Sequence, residues 1–213
     1  MKFTILAGMI IASFGFSILI PAQAHAQFPS ARDSCSTQSD RLCDGEIENF
    51  EEVIPGVLYR GAQPPDVAFR KLRVQYHITT VVNLRRFHSD ENVIAKISGL
   101  KYIRIKNWAT HVEDEDVGRF LQVMSDPTNY PVFVHCRLGA DRTGLMVAAY
   151  RLLIQNPPAA QAEVEAELSR HKFHHYKSII NWLHGVEAVT PVDRPKKLKT
   201  LIAIANRRLQ HNL

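Results

Sequence analysis

The sequence predicts an α/β fold in which a central, mostly parallel sheet is flanked by helices. Short runs rich in β-branched residues alternate along the chain with amphipathic helical segments, which is the order that parallel sheets require. The 213 residues are 46% hydrophobic and 22% charged, enough for one sizeable core and too few for two full domains. No fixed-period repeat or low-complexity tract is present, which excludes solenoid and disordered classes.

The first 26 residues differ in kind from the rest. Residues 1–2 form a short basic start, residues 3–20 carry no charge, and Ala-His-Ala at 24–26 has the pattern of a cleavage signal. We interpret this segment as a secretory signal peptide of an exported, periplasmic or secreted protein. The alternative is an uncleaved membrane anchor, because 18 apolar residues just span a bilayer. The predicted organisation is a signal peptide at 1–26, a polar tether at 27–49 and one folded domain at 50–213.

Two of the three cysteines lie in the tether. Cys35 and Cys43 are eight residues apart in a polar stretch, and an oxidising compartment permits a disulfide between them. The alternative is a pair of free or metal-binding thiols. Cys136 stands apart from both, directly after an apolar run.

The first predicted elements follow the tether. A strand at 57–60 comes after the Pro55-Gly56 turn, and a helix of about ten residues begins at 64–66 (Pro-Pro-Asp), because proline fits the first helical turn. Residues 78–84 (ITTVVNL) predict a buried strand, and 102–105 predict another.

The second half of the chain repeats the pattern. Residues 110–113 (Thr-His-Val-Glu) have the spacing of a capping box. The helix that they open carries Val117, Phe120, Leu121 and Met124 on one face. A strand at 132–134 then leads through a glycine-containing loop into an apolar helix. Helices are predicted at 145–154, 160–171, 178–184 and 196–209.

The segment from His135 to Gly144 reads HCRLGADRTG and joins a buried strand to a helix. A loop that closes onto a helix N-terminus directs several backbone N–H groups inward, and the positive end of the helix dipole adds to them. These groups form a cradle the size of an oxyanion. Arg142, six residues after Cys136, can close the cradle with a planar fork that holds two phosphate oxygens.

Cys136 lies at the base of this positive field, which favours the thiolate. A thiolate can attack phosphorus in line while the cradle stabilises the charge on the equatorial oxygens. Thr143 places a hydroxyl near the sulfur for the hydrolysis of a phosphocysteine. No metal or other cofactor is predicted for this chemistry. The alternatives are an inert Cys beside an Arg salt bridge and a rhodanese-type loop, whose Cys-to-Arg spacing is one residue shorter.

At these residues the sequence resembles the cysteine-dependent protein tyrosine phosphatase superfamily, specifically its bacterial, dual-specificity-like branch. Weaker support comes from LYRGAQP at 58–64 and VNLR at 82–85. The resemblance covers about residues 50–185, and it implies the superfamily fold, a phosphatase domain and a two-step phosphocysteine mechanism.

By position, this resemblance makes Cys136 the nucleophile, Arg142 the phosphate clamp and Thr143 the leaving-group helper. His135 supports the loop and the thiolate, or its ring simply packs behind the loop. The phosphate-binding residues are then predicted to be Arg137, Leu138, Gly139, Ala140, Asp141 and Arg142.

The general acid is where the sequence departs from the family. Many members donate the leaving-group proton from an Asp roughly thirty residues before the Cys, but residues 105–110 (IKNWAT) contain no carboxylate. Asp141, directly before Arg142, is the first candidate, and ordering of the loop is its other interpretation. The acidic run at 113–116 is the second candidate, although the helix dipole also explains it. The third interpretation is that water or no acid serves.

The predicted function is hydrolysis of phosphomonoesters, on a phosphorylated protein or a small phosphoester substrate. Arg137 adds positive charge near the pocket, so an inositol polyphosphate or phosphoinositide phosphatase is one alternative. A phosphate-binding pseudophosphatase is the other, because the upstream Asp is missing. The net charge of +5 suits an anionic partner. No nucleic-acid-binding pattern is present, and no membrane span is expected after signal cleavage.

Other polar residues are predicted to have structural or solvent-facing roles. Arg60 and Arg85 end strands at the expected active-site edge and are predicted to buttress the loop, with substrate contact as the alternative. The helical spacing of His171, His174 and His175 predicts a solvated face rather than a metal site. The basic residues between 194 and 208 predict a solvated helix face, with an acidic or membrane-surface partner as the alternative.

Overall fold

The computed structural model describes residues 46–108, 110–155 and 161–211. The predicted signal peptide, most of the tether, Cys35 and Cys43 lie outside these residues. Within the described part, five strands form one sheet: Glu51–Ile54 (β1), Leu58–Gly61 (β2), Thr80–Asn83 (β3), Lys101–Arg104 (β4) and Val132–His135 (β5).

The order of the strands in the sheet is β1-β2-β5-β3-β4. β1 runs antiparallel to β2, and every other neighbouring pair is parallel, which confirms the predicted mostly parallel sheet. The register pairs His135 with Gly61 on one side and with Asn83 on the other, and Asn83 pairs with Arg104. The four parallel strands therefore end at one edge, and the loops that follow them meet there.

The described residues also form seven α-helices and one 3₁₀ turn at Pro127–Asn129. The helices are Asp66–Gln75 (α1), Glu91–Ile94 (α2), Asp114–Met124 (α3), Asp141–Leu153 (α4), Gln161–Arg170 (α5), Lys177–Glu187 (α6) and Arg194–His211 (α7). Among these residues, no helix is both long and apolar enough to cross a bilayer.

The strand period of two residues divides the core between the faces of the sheet. On β5, Val132 and Val134 pack with the buried residues of α3 to α7. Phe133, between them, points the other way and packs with Phe69 of α1 and Ile94 of α2. The predicted arrangement of helices on both faces of the sheet is confirmed.

The predicted capping box does not form. α3 begins at Asp114 rather than after Thr110, and its N-cap residue, Glu113, makes no side-chain cap hydrogen bond. Acidic side chains fill the first turn instead, where the positive end of the helix dipole favours them. The predicted apolar face is confirmed, because Val117, Phe120, Leu121 and Met124 are all fully buried.

The prediction that the three histidines face solvent is right for His174 and His175, which are exposed, and wrong for His171. α5 ends at Arg170, so His174 and His175 lie in the connection to α6. His171 is buried and pairs with Glu51, while Nδ1 of His174 lies 2.9 Å from Oδ2 of Asp141. In the part of the chain that the structure describes, no three His, Cys, Asp or Glu side chains are grouped to hold a metal ion.

The basic last helix has the predicted solvent-facing side, because Lys196, Lys199, Arg207 and Arg208 are all exposed. Arg208 pairs with Glu113 and Glu115, and Lys197 lies 3.7 Å from Asp114, so α7 is bound along the acidic start of α3. These ion pairs involve two of the basic residues, and Lys196, Lys199 and Arg207 face solvent beside them.

Candidate active site

The cradle loop, residues 136–140, joins the end of β5 to the start of α4 at the edge where the four parallel strands end. Cys136 is 2% exposed at the base of this loop. α4 runs for 13 residues from Asp141, so the positive end of its dipole faces the loop. The helix begins four residues before the predicted start at 145, and residues 141–144 form its first turn.

Three consecutive carbonyl groups of the cradle loop accept hydrogen bonds from residues that lie outside the loop. The carbonyl of Arg137 accepts from the backbone N–H of Gln63 at 3.2 Å. The carbonyl of Leu138 accepts from Nδ2 of Asn49 at 2.7 Å, and the carbonyl of Gly139 accepts from Nη2 of Arg60 at 2.7 Å. Since C=O and N–H point in opposite directions in a planar trans peptide, the N–H groups of residues 138–140 point inward. This is the peptide orientation that a cradle for an anion requires.

Arg60 is fully buried and forms the back wall of the cradle loop. Its Nη1 donates to Oε1 of Glu167 on α5 at 2.7 Å, while its Nη2 donates to the loop. The other carboxylate oxygen of Glu167 lies 2.6 Å from Nε of Arg151. This buried network fits the predicted buttressing role of Arg60.

Gly139 is required both by its backbone conformation and by its surroundings. Its φ of +69° lies in the left-handed region that glycine tolerates best. A Cβ at this position would lie 2.5 Å from the carbonyl carbon of Gly61 at the end of β2. The cradle loop can therefore press directly against the β2 backbone only with glycine here.

His135 is fully buried beneath the cradle loop, and Asp90 holds it there. Its Nε2 lies 3.2 Å from Oδ2 of Asp90. Asp90 also accepts from Nε2 of Gln63 at 2.7 Å and from Nδ2 of Asn83 at 2.5 Å. Burial alone would raise the pKa of Asp90, but the hydrogen bonds and charges of its neighbours, His135 first among them, hold that pKa below its ordinary value. A carboxylate thus fixes the orientation of His135.

Arg142 and Thr143 lie in the first turn of α4. Nη1 of Arg142 donates to the carbonyl of Leu84, just after β3, at 3.3 Å. The hydroxyl of Thr143 is buried and has no hydrogen-bond partner within the described residues. A buried hydroxyl without a partner is costly unless a ligand or a reacting group meets it.

The family model described as "PTP-NADK: DSP-PTPase phosphatase fused to NAD+ Kinase" matches residues 33–180. The chain belongs to this phosphatase family. The predicted membership of the cysteine-dependent protein tyrosine phosphatase superfamily, dual-specificity-like branch, is thereby confirmed, and so is the prediction of a cysteine-dependent phosphatase.

Curated relatives carry related names. The chain is 26% identical over 113 residues to inositol diphosphatase SIW14 of Saccharomyces cerevisiae, covering 50% of this chain and 40% of the relative. It is 29% identical over 110 residues to inositol diphosphatase DSP4 of Arabidopsis thaliana, covering 48% of this chain and 54% of the relative. The matched region spans about half the length of these relatives.

Solved structures show the same fold. TpbA of P. aeruginosa superposes with a TM-score of 0.57 at 20% identity, covering 75% of this chain and 91% of that one. The catalytic core of SIW14 from S. cerevisiae gives 0.58 at 22% identity, covering 76% and 93%. The predicted protein tyrosine phosphatase-like fold is confirmed.

Beside the cradle loop, two arginines other than Arg142 add positive charge. Arg85 follows β3 and donates from Nη1 to Oε1 of Gln63 at 2.8 Å. Burial lowers the pKa of Arg85, and so do the charges of Arg142 and Arg137, whereas Asp90 opposes this shift. Arg137 itself is exposed on the loop. The mouth of the site is thus more positive than one phosphate requires.

Asp141, the first candidate for the general acid, is tied to the segment before α6. Its Oδ1 accepts from the backbone N–H of His174 at 2.8 Å, and its Oδ2 lies 2.9 Å from Nδ1 of the same residue. These bonds fit the loop-ordering interpretation of Asp141.

The acidic run, the second candidate, is divided by the structure. Glu113, Asp114 and Glu115 bind partners on α6 and α7. Asp116 alone is buried, where its Oδ2 accepts from Nδ2 of Asn107 at 3.2 Å. Burial raises the pKa of Asp116, and the charges of Glu113 and Glu115 raise it further. Asn107 follows β4 at the active-site edge.

Several residues that hold the site were not singled out from the sequence. Asn49 lies in the segment assigned to the tether, and Asp90 and Glu167 are single carboxylates without a motif. The sequence does contain one indication for Glu167, because this residue falls between Val164 and Leu168 on the apolar side of α5. A carboxylate on a buried helix face calls for a buried cation as its partner.

Proposed function

We propose that the protein is an exported phosphatase that hydrolyses phosphomonoesters through a phosphocysteine intermediate on Cys136. The cradle loop carries this proposal. Three held carbonyls leave the N–H groups of residues 138–140 on the inner side of a loop that begins with a buried cysteine and ends before Arg142. Preorganised donors of this kind stabilise the charge that a transferring phosphoryl group develops.

In the first step, the Cys136 thiolate attacks phosphorus and an S–P bond forms. The bond from phosphorus to the leaving oxygen breaks, and that oxygen takes a proton from a general acid. Arg142 and the inward N–H groups hold the equatorial oxygens during the transfer. His135, fixed by Asp90, supports the loop from below.

In the second step, a water molecule attacks the phosphorus of the phosphocysteine. The S–P bond breaks, the thiolate returns, and a carboxylate takes the proton from the water. The unpartnered hydroxyl of Thr143 supports this step, because it can donate a hydrogen bond to the departing sulfur. Asp141 and Asp116 are the two carboxylates proposed for the proton transfers.

A second candidate substrate class is supported by the extra positive charge. Arg137 and Arg142 both lie close enough to Arg85 to lower its pKa, so a substrate with several phosphate groups would find a cation for more than one of them. Two relatives bear the name inositol diphosphatase. We propose inositol polyphosphates as this class, beside phosphotyrosine-like esters.

Turnover by the purified protein tests the function, with a chelator present. The substrates are an aryl phosphate, a phosphotyrosine peptide and inositol hexakisphosphate. We expect hydrolysis by the unsubstituted protein and none by Cys136→Ser, which should still bind inorganic phosphate. The mature N-terminus of the exported protein, expected after residue 26, tests signal cleavage.

Arg137→Ala separates the two substrate classes. It should raise KM for inositol hexakisphosphate more than KM for the aryl phosphate, whereas Arg70→Ala, an exposed position on α1, should change neither. Phosphate binding by a reduced, folded protein without any turnover would overturn the enzymatic proposal and favour a pseudophosphatase.

A further inference from the structure

We propose that Asn49 and Arg60 are positioning residues, which hold two peptide units of the cradle loop in the orientation that binds phosphate. This inference rests on the proposed function. It concerns the bonds from Nδ2 of Asn49 to the carbonyl of Leu138 and from Nη2 of Arg60 to the carbonyl of Gly139.

A peptide unit in a tight loop has two stable orientations. In one, its N–H faces the cradle, and in the other, its carbonyl does. Turning the unit that follows Leu138 would remove a donor from the phosphate and also place an acceptor against a negative charge. Asn49 opposes this rotation, because it binds the carbonyl on the outer side at 2.7 Å.

Asn49 is itself held in place. The carbonyl of the preceding residue, Glu48, accepts from the backbone N–H of Ala62 at 2.8 Å, and the side chain of Ile47 packs against Gly61. The φ of Asn49 is +53°, in the left-handed region, where Asn is one of the few tolerated side chains. The segment before β1 is therefore anchored to the end of β2, with one amide aimed at the loop.

Arg60 performs the same task for the next peptide unit from inside the protein. Its guanidinium spans the carbonyl of Gly139 and the carboxylate of Glu167, each at 2.7 Å. The ammonium of a lysine is a point donor and cannot reproduce this planar fork. Arg60 thus fixes the cradle loop relative to α5.

A purely structural role and a positioning role give different measurements. A structural role lowers Tm, while the molecules that remain folded bind phosphate as before. A positioning role weakens the binding of an oxyanion to folded protein, and it lowers kcat/KM.

The test uses Asn49→Gly, which removes the amide and keeps the left-handed backbone acceptable. Inorganic phosphate binding is measured in the Cys136→Ser background, and kcat/KM with Cys136 present. Since loss of one oxyanion donor costs about 10²–10³ in kcat, we expect a misoriented donor to lower kcat/KM by roughly 3- to 30-fold and to weaken phosphate binding. Arg60→Lys should act in the same direction.

Glu48→Ala is the matched control, because that side chain is exposed and only its backbone holds the segment. It should leave both measurements unchanged. Asn49→Asp is the second variant, since it keeps the size and the backbone preference but cannot donate. It should be impaired also at high salt, where charge effects are screened.

Unchanged phosphate affinity and kcat/KM in Asn49→Gly would overturn this inference alone, provided that the parent hydrolyses phosphoesters. If the parent binds phosphate without turnover, the proposed enzyme fails, and the binding measurement still decides the positioning role. If the parent neither binds nor hydrolyses, both fall together.

Discussion

Asp141 and Asp116 are both buried, but they have different hydrogen-bond partners. Asp141, at the start of α4, is held by two hydrogen bonds from His174. Asp116 is buried with one hydrogen bond from Asn107, and burial raises its pKa. A general acid must be protonated at the operating pH, which a raised pKa favours. The raised pKa of Asp116 is the property that its proposed role as proton donor requires.

The variants Asp116→Asn and Asp141→Asn distinguish these roles. We expect the variant that lacks the acid to lose about 10²–10⁴ in kcat on a substrate with a poor leaving group, because general acid catalysis contributes that much. It should lose far less on an aryl phosphate, whose phenolate leaves readily. The matching pH–rate profile should lose its alkaline limb. Equal effects on both substrates would assign the residue a structural role.

At the scale of the helices, α3 and α7 meet more closely than side chains normally allow. A Cβ at Gly118 of α3 would lie 2.1 Å from the carbonyl oxygen of Leu201 on α7. The two backbones are in contact there, and the ion pairs of Arg208 extend the contact toward the start of α3. This packing attaches the last helix to the core.

Gly118→Ala should therefore lower the free energy of unfolding by about 1–3 kcal/mol, the usual cost of overpacking a core. The obstacle is a backbone atom, which no rotamer change can move. Gly185→Ala on α6 is the matched control, because nothing lies within 4 Å of its added Cβ. It should stabilise the protein by about 0.5–1 kcal/mol through helix propensity. Urea denaturation of both variants measures the contrast, and equal stability changes would contradict it.

Those features of the fold and the site that depend on residues close in sequence could be predicted from the sequence. The spacing of Cys136, Gly139 and Arg142 after an apolar strand is contained within one short segment, and strand and helix periods follow from nearest neighbours. Asn49 and Glu167 could not be predicted in the same way, because their roles depend on partners 89 and 107 residues away. The capping-box prediction at Thr110 failed because tertiary partners of the acidic run fixed where α3 begins.

On the scale of the whole molecule, buried carboxylates connect stability to pH in opposite directions. The pKa of Asp90 is lowered, so this group contributes stability above its unfolded pKa and loses it as pH falls through the folded value. The pKa of Asp116 is raised, so the folded state retains its proton, and this group costs stability as pH rises through the folded value.

Urea denaturation as a function of pH should show both signs. Asp90→Asn should be less stable than the parent at pH 7, and the difference should shrink in acid, where the parent carboxylate is protonated. Asp116→Asn should be more stable than the parent at pH 7, with a difference that also shrinks in acid. A less stable Asp116→Asn would show that the hydrogen bond from Asn107 outweighs the cost of burying the charge. A more stable Asp90→Asn would show that burial of the charge costs more than its hydrogen bonds and neighbouring charges return.

The contacts that shape the cradle loop also connect parts of the chain that are far apart in sequence. The loop accepts a hydrogen bond from Asn49, which precedes the first strand. Arg60 connects the loop to Glu167, which follows the last strand. Contacts between residues so distant in sequence require large loops of chain to close, which is slow. A nascent chain that has not yet emerged beyond α5 has every residue of the HCRLGADRTG motif but lacks the α5 anchor of its phosphate cradle. Full activity should therefore appear only after α5 has joined the domain.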